Sequence, residues 1–231
     1  MSRSYSTRLC VAALALAVVV CSADARTIRP GGDRNRLFTT QGDGWTALKT
    51  DDGILFIWNR PGFGFTLSIK GKDIRPLNDP NNIFFTVDGL VFQIQSLPIS
   101  NFAPDARTNK LDDKSILLAH RDWESKFLED ELLHSKLALK SSSEKLASGS
   151  DALLWQFDLP EKFKNPDAKT QMYLTIVAKD YVILLNSVVS ASGSEAAVHK
   201  FLLDVMTSLK FSSEPIDVKK AQETIRKGAK P

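Results

Sequence analysis

Three histidines, His120, His134 and His199, are the side chains best suited to proton transfer near neutral pH. Each falls in a stretch of helical periodicity, and they lie far apart along the chain. His120, between Ile116 and Trp123, sits near an apolar face and reads as a hydrogen-bonded, partly buried histidine; His134 and His199 read as helix-surface residues. No His-Glu-x-x-His zinc pattern occurs. His120-Arg121-Asp122 spells the start of a kinase catalytic loop. However, Trp123 stands where leucine belongs, no asparagine follows at the required distance, and no phosphate-cradling glycine loop is present. Gly62-x-Gly64 lacks its third glycine, Leu67 occupying that position, so no dinucleotide site is expected. No Gly-x-Ser-x-Gly nucleophile elbow occurs either.

Carboxylates remain the other candidate catalytic groups. Asp51-Asp52, Asp112-Asp113 and Glu129-Asp130-Glu131 adjoin in sequence, yet glycoside chemistry needs two acids facing one another across about 5–10 Å. Solvated turns and helix surfaces account for all three groups more simply. Asp43, Asp51 and Asp52 lack the alternating spacing of a calcium loop. No catalytic residue, metal site or cofactor is therefore assigned.

Aromatic residues give a different signal. Trp45, Phe56, Trp58, Phe63, Phe65, Phe84, Phe85 and Phe92 crowd the first half of the chain. Core packing accounts for most of them, because aromatics dominate core area. A few could instead line an apolar cleft for a small ligand or partner peptide. Trp58 and Phe63, flanking the turn Arg60-Pro61-Gly62, are the candidate pair, with Arg60 beside them.

The elements that must position these groups follow from periodicity. Gly53–Asn59 and the alternating run Phe63–Lys70 predict a hairpin across Arg60-Pro61-Gly62. Gly71–Asn82 reads as a polar connection. Ile83–Val87 and Leu90–Leu97 predict a second hairpin across Asp88-Gly89, with Phe92 and Ile94 facing one way and Gln93 and Gln95 the other. From Leu111 the period becomes helical to about Leu139, with a break near Ser135; Asp112 and Asp113 supply the acidic first turn. Its expected apolar face is Ile116, Trp123, Phe127, Leu128 and Leu132. Ser141–Ser150 reads as a serine-rich loop. Strands follow at Ala152–Leu159, Gln171–Ala178 and Tyr181–Ser190. A helix then runs over Glu195–Leu209, with Val198, Leu202, Val205 and Leu209 inward and Phe211 as a core plug. Short turns between strands imply an antiparallel sheet, and two amphipathic helices imply covered faces. The expected fold is an α+β sandwich of α/β/α type: one domain over 37–213, a flexible basic lead at 26–36 and a polar basic tail at 214–231.

Residues 1–25 resemble a cleaved signal peptide. Arg3 and Arg8 precede the apolar run Leu9–Val20, and Ala23-Asp24-Ala25 follows as a small-x-small cleavage site. Twelve apolar residues are short of the roughly 20 that a helix needs to cross a bilayer. The alternative is a lipid anchor at Cys21, for which Val20 is a poor preceding residue. Both cysteines, Cys10 and Cys21, fall in this segment, and no Asn-x-Ser/Thr sequon occurs. The remaining 206 residues can bury enough surface to fold without disulfides. The expected location is periplasmic or extracellular.

The chain carries a net charge of +3, of which the leader supplies +1 through two arginines and one aspartate. Residues 26–36 hold +3 and residues 214–231 hold +2, so the body between is near −3. Nucleic-acid binding is not expected, since that calls for a basic patch interleaved with aromatics. Weak contact with an acidic surface through the two basic ends is the electrostatic alternative.

Met172-Tyr173-Leu174-Thr175, then Tyr181-Val182-Ile183-Leu184, then a helix closing in Met206-Thr207-Ser208-Leu209-Lys210-Phe211 resemble the end of the PsbP-like superfamily. That superfamily includes extrinsic photosystem subunits, Ran-binding import factors and exported bacterial proteins of unknown role. The resemblance covers about Ala152–Phe211. It implies an antiparallel sheet between helices, carries over no catalytic residue, and favours a binding or assembly role. The expectation is a non-enzymatic envelope factor that binds a protein partner or a small apolar ligand. The alternatives are a hydrolase using carboxylates or His120, and a structural envelope component.

Overall fold

The computed structural model describes residues 38–42, 44–77, 83–164 and 166–228. The leader, its two cysteines and the lead at 26–36 lie outside the described residues. In chain order the strands are β1 (Phe38–Gly42), β2 (Trp45–Lys49), β3 (Gly53–Arg60), β4 (Phe63–Lys70), β5 (Ile74–Leu77), β6 (Ile83–Val87) and β7 (Leu90–Pro98). Helix α1 (Asp113–Phe127) comes next, continuing as a π-helical turn over Leu128–Leu133. Strands β8 (Lys140–Lys145), β9 (Asp151–Asp158), β10 (Thr170–Ala178) and β11 (Tyr181–Val189) follow. Then come α2 (Glu195–Thr207), β12 (Lys210–Ser212) and α3 (Val218–Arg226).

The fold is α+β, built on two sheets ordered β1-β2-β3-β4-β12 and β5-β6-β7-β11-β10-β9-β8. The strand pairs of known register are all antiparallel. Where one domain over 37–213 is expected from sequence, the chain divides into two compact units. Among the described residues, one comprises those within 76–86 and 90–203, and the other those within 38–75, 87–89 and 204–228.

In the first unit, β10 and β11 pair along their whole length, from Thr170↔Val189 to Ala178↔Tyr181, around a tight turn in which Lys179 takes φ 53°. Side chains alternate between the faces of these strands. On one face Leu153, Trp155, Phe157, Tyr173, Val182, Leu184 and Val188 form a core with Ile116, Leu117 and Leu128 of α1 and its π-helical turn. On the other face Phe92 meets Phe201 of α2 edge to face at 5.2 Å, and Gln156 donates to Glu195 at 2.8 Å. A helix thus covers each face of this sheet.

Helix α1 is shorter than its periodicity predicts. Asp112 caps it by accepting from the Ser115 N–H at 2.8 Å, as expected. The α-helical part stops at Phe127, the π-helical turn carries the chain to Leu133, and His134 then adopts a left-handed φ of 45°, which ends it. Glu129 draws the following chain back by accepting from the Leu137 N–H at 2.8 Å and from Lys136 at 2.7 Å. Its carboxyl is held below the usual value by the first of these bonds and then by the lysine.

In the second unit, β3 and β4 pair from Gly53↔Lys70 to Arg60↔Phe63. Gly62 takes φ 76° in the connecting turn, the left-handed position that a type II turn places after its proline. One face of the sheet presents Leu48, Leu55 and Ile57 to Ile216, Val218, Ala221 and Ile225. The segment read as a polar tail therefore contains α3, whose apolar side rests on β2 and β3. Phe211, expected as a core plug, pairs with Phe65 in β12 and is 51% exposed.

Candidate binding sites

The three residues singled out from sequence come together at the β3–β4 hairpin. Trp58 stands opposite Phe65, and Arg60 stands opposite Phe63. Trp58 is 5% exposed and Phe63 2%. The Arg60 guanidinium lies 4.5 Å over the Trp58 ring in a cation–π contact, with its Nε buried. Trp58 also lies 5.8 Å from Phe65 and 5.9 Å from Phe56, which itself stacks on Trp45 at 5.6 Å. Most of the aromatic area at this hairpin is thus turned into packing, and Arg60 is the part of the trio that reaches solvent.

A second constellation, in the first unit, combines groups that sequence reading kept apart. His120 and Glu124 are one turn apart on α1, and both are 0% exposed. Below them, Trp155 of β9 stacks on Tyr173 of β10 with ring centroids 3.9 Å apart and planes within 3°. His120 meets Phe102 edge to face at 5.1 Å. The row continues across the sheet, since Tyr173 stands opposite Asn186, and Asn186 opposite Gln93. Asn186 donates to Gln93 at 2.7 Å, and Gln171 donates to Asn186 at 3.4 Å, making a buried amide chain.

Both ring nitrogens of His120, both carboxyl oxygens of Glu124 and the Trp155 indole N–H are buried without a hydrogen-bond partner among the described residues. This corrects the reading of His120 as partly buried and hydrogen-bonded. Charging such groups away from water is costly, so each is held neutral. Burial drives the His120 imidazole down to about 3 and pushes the Glu124 carboxyl up to about 8. The Tyr173 phenol is raised well above its usual value, first by burial and then by the charge that nearby Glu124 carries once it ionises. Chemically the arrangement offers a neutral imidazole, a carboxylic acid and an indole donor in an aromatic surround. Sequence reading missed Glu124 because the expected apolar face ran through Trp123. The signal that could have found it is its spacing of four from His120.

The remaining candidates are structural. Arg121 and Asp122 pair with each other at 2.6 Å beside the buried His120, which dissolves the kinase-like triplet. His199 lies 3.5 Å from Glu144, and His134 is exposed. Asp52 accepts from Thr50 and pairs with Lys70 at 3.3 Å, in an exposed turn. Among the described residues no three His, Cys, Asp or Glu side chains gather as a metal site, and no helix is long and apolar enough to cross a membrane. A hollow of about 200 Å³ beside α1 is lined by Lys114, Leu117, Ser143, Asp151, Ala152 and Leu153; neither His120 nor Glu124 lines it.

No protein-family model matches the chain, and no curated protein matches it significantly in sequence.

Proposed function

We propose that the chain is an exported binding or assembly factor of the cell envelope, non-catalytic and related to the PsbP-like superfamily. The observation that carries this reading is the withdrawal of the His120–Glu124 pair from water: both are 0% exposed on the sheet side of α1. A general acid or base must come within hydrogen-bond reach of the proton it moves. Here both groups are sealed between a helix and a sheet. The succession of β9, β10, β11, α2 and β12 over the stretch of the family resemblance supports the kinship, as do helices on both faces of the seven-stranded sheet. The partner is a protein or a small apolar ligand, met at the hairpin of Trp58, Arg60 and Phe63.

The test is the intact mass of the protein taken from its own host, under native and then denaturing conditions. A denatured mass of residues 26–231 supports soluble export, and one beginning at Cys21 with added lipid replaces it with an anchor. Extra mass lost on denaturing supports a bound ligand or partner. One observation favours a hydrolase as the second reading: burial brings Glu124 near neutrality, where a general acid works. Hydrolysis of an ester or glycoside probe that Glu124→Gln abolishes would establish that reading instead.

A further inference from the structure

Helix α3 carries Lys219, Lys220 and Arg226, and Lys227 caps its C-terminus; all four side chains are exposed. At 3.6 residues per turn they fall within about 120° of the helix circumference, opposite Val218, Ala221 and Ile225. Glu223 sits among them, four residues from both Lys219 and Lys227, so the stripe carries a net +3. None of the four cations stands in an ion pair among the described residues. Two acids precede the helix: the Asp217 carboxylate turns back to accept from the Lys219 and Lys220 N–H groups, and Glu214 is exposed. The helix is held in place from below. Its apolar side rests on Leu48, Leu55 and Ile57, and Asn59 bonds both backbone groups of Ile216 just ahead of it.

We propose that α3 is a docking face for an anionic phospholipid surface, lying flat with its basic stripe toward the headgroups. The stripe extends about 12 Å along the axis from Lys219 to Lys227, which suits a sheet of negative charge rather than a single ion. Three of its cations are lysines, point charges on flexible stems that adapt to a diffuse potential. Nucleic acid would call for aromatic side chains among the cations, and Val218–Arg226 has none. An acidic protein partner would call for apolar or aromatic anchors at the centre of the contact, and the apolar residues of α3 face inward instead. This inference stands on α3 and does not depend on the binding role proposed above.

The experiment is co-sedimentation of the purified protein with vesicles of equal parts phosphatidylglycerol and phosphatidylcholine, against phosphatidylcholine alone. The protein is expected to favour the mixed vesicles and to lose that preference as salt rises. Each cation near such a surface is worth about a fivefold change in partitioning. Replacing Lys219, Lys220, Arg226 and Lys227 together by Gln is expected to cost roughly 600-fold, with an unchanged unfolding midpoint. Glu223→Gln is expected to raise partitioning. The proposal is overturned if wild type shows no preference for the mixed vesicles, or if the fourfold variant partitions as wild type does. Capture by DNA or polyglutamate without partitioning to the mixed vesicles overturns it in favour of nucleic acid or an acidic protein.

Discussion

The Asn59 side-chain amide grips the backbone of Ile216 from both sides, donating Nδ2–H to its carbonyl at 2.9 Å and accepting its N–H on Oδ1 at 2.7 Å. These residues are 157 positions apart, and the double bond fixes the lead of α3 to the end of β3. Asn59→Ala leaves both Ile216 groups part-buried without partners, and a lost pair of this kind costs about 1–3 kcal/mol. Urea unfolding followed by circular dichroism should show that loss. Asn59→Asp should cost stability too, because a carboxylate cannot donate to the carbonyl.

Gly64 lies opposite Asn59 in the β3–β4 ladder and leaves room for this clamp. A Cβ there would sit 2.6 Å from Asn59 Oδ1 and 3.1 Å from Ile216 Cγ1. Gly64→Ala should therefore push the amide off its partners and destabilise by about 1–3 kcal/mol. Combined with Asn59→Ala it should add less than its separate effect, since both act on one contact. Thermal unfolding of the two single variants and the double variant measures this.

The buried pair on α1 sets the pH range of stability. The Glu124 carboxyl is raised from 4.5 to about 8, so the unfolded chain gives up this proton first. Stability then falls as pH rises from 4.5, and levels off past 8. The His120 imidazole is lowered from 6.5 to about 3, so the unfolded chain takes up this proton first. Stability then falls as pH drops from 6.5 through 3. Between 4.5 and 6.5 the two slopes oppose, giving a plateau with a decline on either side. Glu124→Gln should flatten the alkaline decline and leave the acid one, and His120→Phe should do the reverse. Urea midpoints across pH decide it; an unmoved alkaline limb in Glu124→Gln would falsify the assignment.

At the β3–β4 hairpin, stability and recognition separate by residue. Trp58→Ala opens a cavity in the aromatic cluster and should cost about 3–5 kcal/mol. Arg60→Ala removes a cation–π contact worth about 0.5–1 kcal/mol and opens no cavity in the aromatic cluster. Arg60→Ala is therefore the variant for pull-down from envelope extracts. Partner recovery should fall while the unfolding midpoint stays nearly constant. Full recovery with Arg60→Ala would remove this hairpin from the binding surface.

Elements with one apolar face were legible in the chain, and elements that break that pattern were not. The alternation Phe63–Lys70 and the Asp88-Gly89 turn announced their strands, and Asp88 and Gly89 both take the positive φ that such a turn demands. Gln93 and Gln95 alternate with Phe92 and Ile94 as expected, but β7 is an interior strand, so the glutamines are buried too. Strand β8, Lys-Ser-Ser-Ser-Glu-Lys, reads as loop because an edge strand mostly open to water has no apolar face to display. Strand β5 was hidden by Pro76, which an edge position tolerates. The candidate site under α1 was half legible. His120 falls near the apolar stripe, but a glutamate on the buried side is a choice that periodicity does not reveal.

The five-stranded sheet takes β1–β4 from the first seventy residues and β12 from the last twenty-two, and α3 covers β2 and β3. Its early strands are therefore made long before the segments that close it. During synthesis the Leu48–Leu55–Ile57 face waits uncovered while some 160 residues follow, whatever the speed of local pairing. A chain stopped short of Ile216 would keep every strand of the seven-stranded sheet yet leave this apolar face bare. Such a product is a natural client for chaperones and proteases, and a nonsense change ahead of Ile216 should read out as missing protein rather than as altered function.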